Sequence, residues 1–201
     1  MKNMDYCLND NTSTSKSILL PFGTSDFEEI RKNGLYYVDK TYLIKELIEF
    51  STKVTLFTRP RRFGKTLTMS MLHSFFDIQK DSKELFDGLR ISRNSEICTN
   101  YMNQYPTIFI TLRNVERLDF QFAFSNFKVA VQDMYKSHSV LAASSKLEKE
   151  DRELFSKLSK AKGTEFETVD ALKTLIHFLY LHYNKPVIVL IDEYDVCLLY
   201  T

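Results

Sequence analysis

The stretch KVTLFTRPRRFGKT, which runs from Lys53 to Thr66, decides how this sequence is expected to fold. Its first half, Val54–Thr58, is a short run of apolar and β-branched residues that predicts a strand. The loop after that strand closes on Gly64-Lys65-Thr66, where a helix is predicted to begin. A phosphate-binding loop needs this ending. The Lys reaches the outer phosphates, the Thr hydroxyl holds Mg²⁺, and backbone N–H groups at the helix start face the anion.

The loop differs from the usual phosphate-binding pattern at its first position. That pattern starts with a Gly five residues before the Gly of the Gly-Lys pair, and here Arg59 occupies the position. A Gly would turn tightly with positive φ, whereas Pro60 holds the residue before it in an extended conformation. We therefore expect a stiffer entry to the loop, and we expect nucleotide binding to survive it. Arg59, Arg61 and Arg62 either contact phosphate or form a solvated basic loop, and the sequence leaves both interpretations open.

A second apolar run ends in two carboxylates. Val187–Ile191 (VIVLI) predicts a buried strand, and Asp192-Glu193 follow it directly. Open α/β sheets bind ligands at the carboxyl ends of their strands. There Asp192 would orient Mg²⁺ and Glu193 would act as general base on the attacking water. Such carboxylates often only cap a following helix, but here the two motifs occur together and in the expected order. The role of Asp195 stays open.

Composition limits the classes of function. The chain has 201 residues, 44% of them hydrophobic, and a net charge of +1. These values indicate one globular domain and give no global electrostatic argument for nucleic-acid binding. Since no basic stripe or base-reading helix is evident, we expect no direct nucleic-acid contact. The three cysteines lie far apart without metal-ligand spacing, and no apolar run reaches the length of a membrane span. We therefore expect a cytoplasmic protein that does not associate with membranes.

Predicted strands and helices alternate along the chain. Residues 1–17 are polar and predict a disordered leader. The predicted strands are Val54–Thr58, Thr107–Leu112 and Val187–Ile191. Helices are predicted after the capping residues Ser25, Asp39 and Thr164, the last of them reaching Tyr183, and over 65–77, 120–137 and 146–162. This order predicts an α/β fold of the P-loop NTPase type, with a parallel sheet flanked by helices.

Three strings make the sequence similar to a known family. They are PFGTSDFEEIRKNGLYYVDKTYLIKELI before the loop, FTRPRRFGKTLTMSML around it, and VIVLIDEYD near the end. With them the chain, from about Leu20 onward, resembles the AAA-ATPase-like family. Members of that family are mostly bacterial and often carry a PD-(D/E)XK nuclease-like domain at the C-terminus. Arg-Pro-Arg-Arg-Phe-Gly-Lys is the usual loop in the family, so Arg59 follows the family pattern.

The resemblance implies an ATP-binding domain over residues 18–201. It implies that ATP is bound at Gly64, Lys65 and Thr66, and we expect Arg59, Arg61, Arg62 and Phe63 of the same loop to contribute to cofactor binding. It also implies that Thr66 and Asp192 hold Mg²⁺ and that Glu193 is catalytic. By analogy with related ATPases, Pro21–Thr41 would line the adenine pocket.

The spacing of the motifs predicts two further features. The separation between Lys65 and Asp192 is long for a minimal ATPase core, so 118–162 is predicted to be a helical insertion. ATPases with an Asp-Glu strand end usually have one more strand beside the acidic strand, and here it would lie after Thr201. Without that strand, buried backbone groups would lack partners. We therefore expect a truncated product that is marginally stable or needs a protein partner or a second copy of itself.

Three classes of function stay open on the sequence alone. The first is an ATP-binding and ATP-hydrolysing module that acts as a switch for a nuclease-like domain. The second is a degenerate domain that binds the nucleotide without turnover. The third is a remnant that serves only as an interaction domain.

Overall fold

The computed structural model describes residues 19–58, 60, 62–113, 115 and 120–194, so the predicted leader lies outside the described residues. Within these residues, five helices precede the first strand: α1 (Phe27–Lys32), α2 (Tyr42–Phe50), α3 (Lys65–Phe76), α4 (Lys83–Phe86) and α5 (Ser95–Tyr101), with a 3₁₀ turn at Arg90–Arg93. Strand β1 (Thr107–Thr111) is followed by α6 (Phe120–Lys136), a 3₁₀ turn (Ser139–Ala143), α7 (Lys149–Leu158), α8 (Glu165–Val169), α9 (Ala171–Tyr183) and β2 (Ile188–Asp192). Within this part of the chain, no helix has both the length and the apolar character needed to cross a bilayer.

The two strands form a parallel sheet, as an α/β fold requires. Thr107 pairs with Ile188 at one end of the ladder, and Thr111 pairs with Asp192 at the other. The chain between the strands passes through α6, α7, α8 and α9, which is the helical crossover that parallel strands need. The carboxyl ends of both strands therefore lie together at one edge of the sheet.

Each face of the sheet packs against its own hydrophobic core. From β1, Ile108 and Ile110 enter a core shared with α6, α7 and α9, whereas Phe109 packs against the opposite core. From β2, Leu190 enters that opposite core, which is formed with α1, α2, α3, α4 and α5. The alternation follows from the period of two in a strand, so helices cover both faces.

One predicted strand is wrong. Residues 54–58, which the sequence predicts as the strand before the loop, have no strand conformation, and Val54 is 85% exposed. β-branched residues favour extended backbone, but a strand also needs a neighbour that pairs its N–H and C=O groups. Among the described residues, β1 and β2 pair only with each other, so 54–58 lacks that neighbour.

Most predicted helices are confirmed, with corrected boundaries. Thr164 and Glu167 form the expected capping box, but the helix after them ends at Val169, and α9 begins at Ala171. Asp170 separates the two with φ −86° and ψ 1°. At α1 the N-cap is Asp26 and not Ser25. Residues 120–158 are largely helical and contribute about half of the buried residues of the core that contains Ile108 and Ile110. The interpretation of 118–162 as an insertion stays a prediction.

A buried histidine connects the end of α6 to the end of α3. His138 is 2% exposed, and its Nδ1 lies 2.7 Å from Nε2 of Gln79. Its Nε2 has no hydrogen-bond partner among the described residues. Burial lowers the pKa of His138 to about 4, with Asp77 raising it and His73 lowering it by smaller amounts. His138 is therefore held neutral in the folded chain at neutral pH.

The buried His138 predicts a loss of stability in acid. Its pKa is 6.5 in the unfolded chain and about 4 in the folded one, so protons bind the unfolded state preferentially as the pH falls. The contribution of the neutral His138 to the free energy of unfolding is fully present above pH 6.5. It should fall by about 3 kcal/mol as the pH approaches 4. Urea unfolding across this pH range measures the loss of unfolding free energy.

His138→Gln should flatten the pH dependence of the unfolding free energy, whereas His177→Gln on the exposed side of α9 should not. Equal pH dependence for both variants would contradict the account.

Candidate functional site

The loop and the start of α3 present unpaired backbone donors. Gly64 is the N-cap of α3 with φ 75° and ψ 29°, a left-handed conformation that Gly adopts without strain. No side chain caps this helix, and its first turn has no acidic residue. The first N–H groups of α3 are therefore available to an anion, and the helix dipole favours negative charge there.

The first two residues of α3 are Lys65 and Thr66. Both are half-buried, and the Lys65 ammonium has no ion-pair partner within the described part of the chain. The carbonyl of Gly64 accepts hydrogen bonds from both N and Oγ1 of Thr68, each at 2.9 Å. These two bonds fix the first turn of the helix on which Lys65 and Thr66 lie.

Thr66 and Asp192 are in direct contact. The Thr66 hydroxyl donates a hydrogen bond of 2.8 Å to Oδ2 of Asp192, across 126 residues of sequence. Asp192 is the last residue of β2 and is 4% exposed. Its own carbonyl accepts a hydrogen bond of 3.0 Å from the N–H of Leu112, which follows β1. The sheet thus fixes the backbone of Asp192, and the fold brings the ends of two sequence motifs together.

Glu193 follows Asp192 with an unusual backbone conformation. Its φ is 57°, in the left-handed region that residues other than Gly rarely adopt. Such strain is common at functional sites and costs of order 1 kcal/mol. The side chain is half-buried at the same edge of the sheet as Asp192.

The remaining predicted site residues either are exposed or lie outside the described residues. Arg62 is exposed and has φ 69°, and Phe63 is 60% exposed. Arg59, Arg61 and Asp195 lie outside the described residues. The contact between Thr66 and Asp192 is therefore the best-defined feature of the predicted set.

Sequence reasoning missed the contacts that hold the turn at residues 39–41, which lies beside the loop. Asp39 was expected to cap α2, but the N-cap is Thr41, without a side-chain cap bond. Instead Oδ1 of Asp39 accepts from N and Oγ1 of Thr41, and its Oδ2 accepts from N of Arg90 at 2.7 Å. Burial raises the pKa of Asp39, but these hydrogen bonds outweigh it, so the net pKa is lowered. The Asp-x-Thr spacing is the sequence signal for such a turn.

The turn at residues 39–41 includes Lys40, whose ammonium group lies close to Gly64 in the loop. A Cβ atom built on Gly64 would lie 3.5 Å from the Lys40 ammonium nitrogen. Lys40 stands between Asp39 and Thr41, and Oγ1 of Thr41 also accepts a hydrogen bond of 3.2 Å from N of Ile91. The position of Lys40 therefore follows from contacts between residues 39–41 and 90–91, which are distant in sequence.

A cavity of about 350 Å³ adjoins the start of α3. Its lining residues come from the Asp39 segment, α2, α3 and their neighbours: Asp39, Lys40, Tyr42, Leu43, Glu46, Phe57, Lys65, Thr68, Met69 and Arg90. One part of the wall is aromatic and apolar, and another carries cations. A cavity of this size and mixed character suits a small organic ligand with an anionic end.

The oxygen atoms at this site are suitable ligands for Mg²⁺. The Thr66 hydroxyl and the buried Asp192 carboxylate are hard oxygen ligands in contact with each other. Among the described residues, no cluster of three or more His, Cys, Asp or Glu side chains could hold a metal ion alone. Mg²⁺ commonly uses one or two protein oxygens and takes its other ligands from phosphate and water, so the pair fits.

Comparison with known proteins gives a short partial match to a curated relative and a match to a family over most of the chain. A curated relative from Azotobacter chroococcum mcd 1, titled "Uncharacterized protein in vnfD 5'region", is 42% identical over 73 residues. The match covers 36% of this chain and only 13% of that relative. No solved structure matches the chain significantly. The model of the AAA-ATPase-like family, described as predicted AAA-ATPase, matches residues 21–201. Since this match spans most of the sequence, the chain belongs to the AAA-ATPase-like family.

Proposed function

We propose that this chain is a P-loop ATPase module that binds ATP together with Mg²⁺ at the start of α3 and hydrolyses it. The observation that carries the proposal is the hydrogen bond from Thr66 to Asp192. In a P-loop site the hydroxyl after the Lys and the carboxylate at the acidic strand end act on the same Mg²⁺. Their contact across 126 residues supports one site built from both motifs.

Each residue would have a distinct role in this site. Backbone N–H groups of Gly64, Lys65 and Thr66 would bind the phosphates, and the Lys65 ammonium would neutralise their outer oxygens. The Thr66 hydroxyl and the Asp192 carboxylate would hold Mg²⁺. When bound, the ion supplies charge that stabilises the phosphate oxygens during transfer. Glu193 would take a proton from the attacking water.

The nucleoside would occupy the cavity beside α3. Tyr42, Phe57 and Met69 offer apolar surface for a base, and Lys65 lies in the same lining. Of the segment expected to line the adenine pocket, Asp39 and Lys40 reach this cavity. The position of the cavity next to the phosphate loop supports a single ligand that spans both.

We further propose that ATP acts as a switch for a nuclease-like domain of the kind that members of this family often carry. This proposal is supported by the family membership and by the resemblance of the three strings. A switch of this kind requires that nucleotide binding changes the conformation of this module.

Removing the Lys65 ammonium is the direct test of nucleotide binding. Hydrogen bonds to charged groups contribute about 1.5–3 kcal/mol, so Lys65→Ala should weaken ADP binding by about 10-fold to 100-fold. Calorimetric titration with ADP in the presence of Mg²⁺ measures the change. Lys83→Ala removes a charge from the exposed side of α4 and should leave the affinity unaltered. Folded wild-type protein that does not bind ADP or ATP would refute the proposal.

A further inference from the structure

The Lys40 ammonium lies beside Gly64 in the loop. Its ammonium nitrogen is 3.5 Å from the point where a Cβ atom on Gly64 would stand. Gly64 is the N-cap of α3, and the N–H groups that follow it have no side-chain cap. The Lys40 ammonium and the open end of the helix therefore adjoin the same small volume.

Within the described part of the chain, Lys40 forms no ion pair with the carboxylate next to it in sequence. Both oxygens of Asp39 accept hydrogen bonds from other groups, two from Thr41 and one from the backbone of Arg90. Across residues 19–58, 60, 62–113, 115 and 120–194, Lys40 has no ion pair. The contacts of Asp39 thus hold the backbone of this turn and leave the Lys40 ammonium available.

Lys40 and Lys65 line the same cavity, and Arg90 adds a third cation to its wall. Asp39 and Glu46 are the acidic residues of this lining, and Asp39 is already engaged by the turn. Lys40 and Lys65 are both half-buried, so neither is a fully solvated surface lysine. A polyphosphate bound in this cavity would offer oxygen atoms to both ammonium groups.

We propose that Lys40, which lies beside Gly64 and shares a cavity with Lys65, is a second lysine that binds the phosphates of the nucleotide. This inference rests on the proposed nucleotide site and adds to it a residue that lies outside the loop. The ligand class is a nucleoside diphosphate or triphosphate. The hydrogen bonds between residues 39–41 and 90–91 are then a device that positions a ligand-binding cation.

The loss of this contact is measured by ADP titration of Lys40 variants. Lys40→Ala should weaken ADP binding by about 10-fold, Lys40→Arg should recover most of the affinity, and Lys83→Ala should match wild type. The Lys40→Ala variant should also show a weaker dependence of ADP affinity on salt. Binding of adenosine should change little, because it has no phosphate.

Lysine footprinting tests the same contact in the wild-type chain, so it does not depend on the folding of a variant. ADP should protect Lys40 and Lys65 from acetylation and leave Lys83 reactive. If Lys65→Ala loses binding while Lys40→Ala binds ADP as wild type does and Lys40 stays reactive, Lys40 has no role and the nucleotide site stands. If wild type binds no nucleotide, both proposals fail.

Discussion

Glu193→Gln is expected to bind ATP and Mg²⁺ as wild type does and to hydrolyse ATP about 100-fold to 10,000-fold more slowly. The amide keeps the size and polarity of the side chain but cannot accept the proton of the attacking water. Since Glu193 is not among the groups proposed to hold the phosphates, the affinity of the variant for ATP should be unaffected. Phosphate release under saturating ATP measures turnover, and titration measures binding.

The control for this variant is Glu165→Gln, which neutralises an exposed carboxylate on α8. It should retain full turnover. If wild type binds ATP without measurable turnover, the chain is a nucleotide-binding module that does not hydrolyse ATP. If Glu193→Gln turns over as fast as wild type, the base is another group and Glu193 has only a structural role.

Phe75→Ala is expected to destabilise the fold by about 3–5 kcal/mol. Phe75 is fully buried on α3, the helix whose first residue, Lys65, directly follows the loop. Its ring makes edge contacts with Phe76 and Phe86, at centroid distances of 5.1 Å and 5.3 Å. Truncation would leave a cavity in the core that α3 shares with α1 and α4.

Urea unfolding measures this loss, with Phe166→Ala as the matched control. Phe166 on α8 is 80% exposed, so its truncation should change the free energy of unfolding by less than about 0.5 kcal/mol. Similar small effects for both variants would mean that the core around α3 does not hold the helix as described. A large effect at Phe75 alone supports α3 as the element that anchors the site.

The parts of the fold that could be predicted are those in which local pattern and packing agree. Val187–Ile191 was predicted as a strand, and β2 spans Ile188–Asp192 because this apolar run has a pairing partner in β1. The helix after the loop was also predicted, since its apolar residues recur at helical spacing and face the core.

The parts that could not be predicted depend on contacts distant in sequence. Val54–Thr58 has the composition of a strand, but pairing decides whether a strand forms, and no described residue pairs with it. Asp170 divides one predicted helix into two, which the periodicity does not reveal. The sequence predicts no element between α3 and β1, where the short helices α4 and α5 lie.

The candidate site shows the same division. Both motifs are visible in the sequence, but the strand predicted before the loop is not formed, so the meeting of Thr66 and Asp192 follows from the packing of α3 against β2. The position of Lys40 was not visible, because it follows from hydrogen bonds between residues 39–41 and 90–91. A local motif gives the chemistry of a loop, and tertiary structure gives the groups that surround it.

The central claim is that one site, built from the loop and the acidic strand end, holds the nucleotide and its metal ion. A crystal structure of the wild-type chain with ADP and Mg²⁺ tests it most directly. We predict phosphate oxygens on the N–H groups of Gly64, Lys65 and Thr66, with Mg²⁺ bound by the Thr66 hydroxyl beside Asp192. ADP bound elsewhere, or an empty loop with Thr66 still hydrogen-bonded to Asp192 at saturating ADP, would contradict the account.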